Sequence, residues 1–60
     1  MSVRVEYQDA GLWFSSCLID GTPSDMSVLL EMRRVKSIYP DKRVRAVDAE
    51  TGRLVDILPD

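Results

Sequence analysis

The sequence predicts an α+β fold: a four-stranded sheet with one helix on one face, in the order strand, strand, helix, strand, strand. Three observations predict it. Val3, Val5 and Tyr7 alternate with Arg4, Glu6 and Gln8, the period of a half-buried strand. Apolar residues recur at helical spacing behind the start signal Thr22-Pro23-Ser24-Asp25. A second valine-rich alternation, residues 43–48, is joined through Ala49-Glu50-Thr51-Gly52 to a returning strand at 54–58.

The first strand ends at Asp9-Ala10-Gly11, where glycine supplies the positive φ of a hairpin connection. The second strand runs from Leu12 to about Asp20. Leu12, Phe14, Ser16 and Leu18 share one face under strict alternation, with Trp13, Ser15, Cys17 and Ile19 on the other. Apolar ends on both faces are expected of a central strand covered on two sides. Thr22 is the expected N-cap, with Pro23 at the first helical position and Asp25 three residues after the cap. At 100° per residue Val28, Met32, Val35 and Tyr39 form a core stripe flanked by Leu29 and Ile38, while Met26 and Leu30 lie nearly opposite. Pro40 disfavours helical geometry at Tyr39, so the helix should end near Ile38. Gly52 is expected in the left-handed position of the last turn. A helix crossing back over the sheet makes the second and third strands parallel, a mixed sheet.

At 60 residues the chain has room for one domain, spanning residues 1–60. One cysteine and no histidine exclude a disulfide framework, an intrachain finger-type zinc site, and Ser-His-Asp or Cys-His catalysis. No cofactor or metal is expected. Paired-carboxylate hydrolysis needs a cleft that a single thin layer does not offer, so the chain is not expected to be an enzyme. Asp48 and Glu50 can approach Asp56, but without calcium-loop spacing, and the acids otherwise fall mainly at turns. Apolar runs of at most three residues are far short of the roughly 20 of a membrane span, and the N-terminus lacks a signal-peptide apolar region. A cytoplasmic protein with no membrane partner is expected, with Cys17 a reduced packing thiol.

One helix covers one face, which leaves apolar residues of the second and fourth strands on the other. A protein partner, foremost a second copy in a homodimer, is expected to bury them. The candidate protein interface is Trp13, Cys17, Ile19, Met26, Leu30, Val55 and Ile57. The net charge of −2 conceals a polarity: residues 33–45 hold six basic residues against Asp41, a net +5, while the rest holds two against nine acids, a net −7. Arg33, Arg34, Lys36, Lys42, Arg43 and Arg45 are thus candidates to contact nucleic-acid phosphate or an acidic protein, the less favoured reading for an acidic chain without a DNA-binding helix pair. Basic residues near a helix C-terminus also complement its dipole, and charges on an outer strand deter edge pairing.

Tyr39-Pro40-Asp41, Arg43-Val44-Arg45, Val47-Asp48 and Thr51-Gly52-Arg53-Leu54-Val55 resemble the C-terminal half of small uncharacterised phage and prophage accessory proteins. The resemblance extends loosely to the opening hairpin and helix. It implies a small cytoplasmic protein acting on a host component, such as an inhibitor of a defence system, and implies no activity and no site residues. A weaker similarity is to antitoxin-type domains that begin with a hairpin carrying an aromatic and a cysteine before a helix; their DNA-binding extension has no counterpart here.

Overall fold

Alternation at the N-terminus produces strand β1, Val3–Asp9, which returns through Ala10 and Gly11 as β2, Leu12–Ile19. The helix α1, Asp25–Ile38, leads to β3, Val44–Asp48, and β4, Leu54–Ile57. These elements come from a computed structural model, which describes residues 1–59. The α+β architecture and element order are those the sequence predicts.

The sheet order is β2-β1-β3-β4, and each pair of neighbours is antiparallel. Two expectations are corrected here. The second strand is an edge, and the central position belongs to β1, whose Val3 and Val5 are fully buried. The sheet is also not mixed: β2 and β3 do point the same way, but β1 lies between them. Apolar residues on both faces of β2 suggested two covering layers, whereas they arise from a change of phase within the strand. Val5 pairs with Cys17 and Glu6 with Ser15, leaving Ser16 as the extra residue of a β-bulge. Before the bulge Leu12 and Phe14 share the helix side with Asp9 and Tyr7; beyond it Cys17 and Ile19 take that side with Val5 and Val3.

The core is a single layer between sheet and helix. Val3, Val5, Val28, Met32, Val35, Val44 and Ala46 form it, closed at the margins by Tyr7, Cys17, Ile19, Tyr39 and Leu58. The predicted helical stripe is therefore the core face, with Leu29 and Ile38 less buried at its flanks. The cap differs from expectation. Ser24, extended at φ −71° and ψ 159°, is the N-cap, and its hydroxyl accepts from Ser27 N at 3.1 Å. The Thr22 hydroxyl instead accepts from the N-terminal amine at 3.2 Å. Both residues have capping chemistry. Pro23, expected at the first helical position, lies ahead of the helix, which begins at Asp25 behind Ser24. At the other end the Tyr39 N–H donates to Val35 O at 3.0 Å, and helix geometry stops before Pro40 as expected.

The two hairpins use their turn residues differently. Ala10 and Gly11 both have positive φ, 52° and 80°, so alanine occupies a conformation that ordinarily favours glycine. Gly52 has φ 79°, the expected left-handed residue, and its N–H donates to Asp48 O at 2.8 Å. The Asp48 carboxylate accepts from Glu50 N at 2.8 Å and Thr51 N at 3.3 Å. This is the turn chemistry expected of an acid in that position.

Candidate interaction surface

The open sheet face lies away from α1, and four side chains organise it. Glu6, only 7% exposed, is the buried charged residue among those described. Its carboxylate accepts from Arg4 Nε at 3.1 Å and from Arg45 Nε at 2.8 Å. The Arg45 guanidinium lies 4.0 Å over the Trp13 ring. Arg45 sits on β3 opposite Glu6, and Trp13 on β2 opposite Gln8, so the chain of contacts spans three strands. Arginine stems and an aromatic ring thereby cover this face, and Val47 beneath them is only 2% exposed without belonging to the helix-side core.

The seven expected interface residues do not form one patch. Trp13 is engaged with Arg45, and Ile57 pairs with Arg45 on the neighbouring strand. Val55 is the extra residue of a second bulge, beside Asp25 and Val28 on the helix side. Met26 is exposed on the outer side of α1. Cys17, Ile19 and Leu30 do come together. With Leu18, Asp20, Ser27 and Glu31 they line a groove of about 500 Å³ between the free edge of β2 and α1. On its helix wall Glu31 accepts from Arg34 Nε at 3.1 Å and from the Cys17 thiol at 3.6 Å. Burial pushes the Cys17 thiol pKa up, and the adjacent Glu31 carboxylate adds to the shift. It is a packing cysteine rather than an activated one.

The six basic candidates are likewise dispersed. Arg34 bonds Glu31, Lys42 Nζ lies 2.8 Å from Asp9, Lys36 Nζ donates to Lys42 O, and Arg45 is held by Glu6. Arg33 and Arg43 are exposed on the helix and ahead of β3. The Lys42 ammonium lowers the Asp9 carboxyl pKa through hydrogen bonding and charge, and Asp9 raises the Lys42 pKa in return. Beside this pair Tyr7 stacks on Tyr39, centroids 4.1 Å apart, and on Phe14 at 5.8 Å. Hydrogen bonding with Tyr39 raises the Tyr7 phenol pKa. Sequence reasoning missed this aromatic stack; the visible signal was an aromatic on each of three elements.

Among the described residues no group of His, Cys, Asp or Glu side chains is arranged to hold a metal ion, and no helix is long and apolar enough to cross a membrane. No protein-family model, curated protein or solved structure matches the chain.

What remains prominent is the edge of β2. Eight residues, Leu12-Trp13-Phe14-Ser15-Ser16-Cys17-Leu18-Ile19, carry no charge and no proline, and one side of their backbone has no partner strand. Leu12, Phe14 and Leu18 are 63%, 43% and 55% exposed. Natural edge strands are usually shortened, charged, bulged or covered. Here only the bulge is present.

Proposed function

We propose that the chain is a non-enzymatic protein–protein interaction module that self-associates as a homodimer and, in the manner of small phage accessory proteins, acts on a host component in the cytoplasm. The observation that carries the reading is the long, uncharged edge of β2 bordered by an apolar groove. An unpaired strand edge offers main-chain hydrogen bonds to another strand, and a groove beside it receives alternate side chains. The ion pairs of Glu6 with Arg4 and Arg45 occupy the open face, while Leu12, Phe14 and Leu18 of β2 stay exposed, which supports contact along that edge. The test is affinity capture from host lysate, with and without nuclease, using the wild type and Leu30→Glu. A protein retained through nuclease treatment and lost with Leu30→Glu is the expected result; capture that collapses with nuclease refutes it.

A second reading, a small nucleic-acid-binding module using residues 33–45, is favoured by one observation: the stacked Phe14, Tyr7 and Tyr39 rings lie beside Lys42. Fluorescence anisotropy with single-stranded DNA and RNA at low salt decides it. Phosphate binding must weaken steeply as salt rises, and removing Arg33 and Arg43 must flatten that dependence.

A further inference from the structure

We propose that β2 pairs with β2 of a second copy, antiparallel about a two-fold axis between Ser15 and Ser16, joining two four-stranded sheets into one of eight strands. The proposal rests on the interaction-module reading and specifies its surface and occupant.

The bulge makes the strand complementary to itself. Residues directly opposite in an antiparallel pair project to the same face. Under unbroken alternation, an axis between residues 15 and 16 opposes position 14 to 17 and 12 to 19, which lie on different faces. The phase change at Ser16 removes that conflict: Phe14 meets the partner's Cys17 and Leu12 the partner's Ile19, all on the helix side. Trp13 meets the partner's Leu18 on the open face by the same rule. Serines, small and uncharged, occupy the axis. The exposed Leu12, Phe14 and Leu18 all gain an apolar neighbour.

Charge and topology favour a second copy over another chain. The strand contributes no charge to oppose itself, and of the two acids that line the groove Glu31 is already paired with Arg34, while Asp20 lies beyond the end of β2, away from the axis. Antiparallel pairing of identical strands closes after two copies unless the opposite edge also pairs. That edge, β4, has only four residues, with a bulge at Val55, a charge at Asp56 and Pro59 just beyond. One edge is competent and the other blocked, so edge association stops at the dimer.

Disulfide trapping tests the register. Opposed residues in antiparallel strands lie about 4.5–5.5 Å apart at Cα, within disulfide reach. In Phe14→Cys, mild oxidation should link position 14 to the partner's Cys17 as the dominant product by mass spectrometry; Leu12→Cys should yield far less 12-to-17 product. Sedimentation of the wild type should give twice 6.8 kDa. Ser16→Lys, exposed and outside the core, should weaken self-association at least about a hundredfold by bringing two like charges to the axis, with circular dichroism unchanged. A wild type that sediments at 6.8 kDa at the highest attainable concentration overturns the proposal. A dimer that keeps its affinity in Ser16→Lys, or that gives no preference for the 14-to-17 link, overturns the edge pairing while leaving the interaction-module reading in place.

Discussion

Glu6→Gln separates a sheet face closed by its own side chains from one that is merely polar in composition. Glu6 accepts one charge-assisted hydrogen bond from Arg4 and one from Arg45. Such bonds contribute about 1.5–3 kcal/mol each when well desolvated. The arginine side chains are 37% and 29% exposed, so solvent recovers much of what is lost, which moves each bond toward the range of about 0.2–1 kcal/mol seen for exposed pairs. Glutamine keeps the shape and one acceptor oxygen but no charge. The expected net cost is about 1–2 kcal/mol, or a fall of roughly 4–8 °C in Tm per kcal/mol in a domain of this size. Urea titration at low, fixed protein concentration measures it, with Trp13, the one tryptophan, reporting its own contact with Arg45. A double-mutant cycle with Arg45→Met should return a coupling energy of at least about 0.5 kcal/mol, as neighbours sharing a network do. A cost below about 0.5 kcal/mol with no coupling would refute the account, leaving Val47 buried for reasons unconnected with the Glu6 network.

Three further outcomes follow from local geometry. Ser24→Ala should cost about 1 kcal/mol by removing the acceptor for Ser27 N, whereas Thr22→Ala should be nearly silent, and thermal melts of the two variants reverse that order only if the helix starts at Thr22. Ala10→Gly should raise stability by about 0.5–1 kcal/mol, because a residue at φ 52° pays the left-handed penalty that glycine escapes; a loss in chemical denaturation would contradict this. The folded-state pKa of Asp9 is lowered by Lys42, so its contribution is present above the unfolded value, about 3.9, and is lost as pH falls through the folded value below that; Asp9→Asn should flatten this part of the acid titration of stability.

Legibility followed the range of the interactions. The helix stripe Val28, Met32, Val35 was visible because one helix against one sheet imposes a simple period. Gly52 and Asp48 were visible because their turn is closed by bonds within a few residues. The position of β2 was not visible, because adjacency is decided by which strand β3 pairs with, a contact across nearly the whole chain. Its bulge was hidden too: Ser15-Ser16 divides two apolar triplets, but alternation alone does not tell which serine is extra. That single residue decides whether Trp13 and Cys17 face the same way, and therefore whether the interface candidates of β2 form one patch or two. For the basic segment, linear clustering overstated spatial clustering, since Asp9 and Glu6 arrive from β1 to meet Lys42 and Arg45, and Glu31 pairs with Arg34 one turn away on α1.

A chain of 60 residues buries only about 60% of the surface its unfolded form exposes, so some apolar area must stay near water. The structure places that remainder unevenly. The middle of the face opposite the helix is closed by Arg4, Glu6, Arg45 and Trp13, and β4 is short and charged, leaving the edge of β2 with no comparable protection. An unprotected edge that aggregated freely would be a liability. The same bulge that breaks the ladder to β1 resolves this, because it sets Leu12 and Phe14 on the same side as Cys17 and Ile19 and so matches the two halves of the strand to each other. Deleting Ser16 would remove the bulge yet keep Leu12, Phe14, Cys17 and Ile19 on one side, with the axis moved onto Ser15. The deletion should therefore keep the dimer and its 14-to-17 link, whereas Ser16→Lys, with the same sides matched but two like charges at the axis, should lose it, a separation that nonspecific stickiness of an apolar strand does not produce.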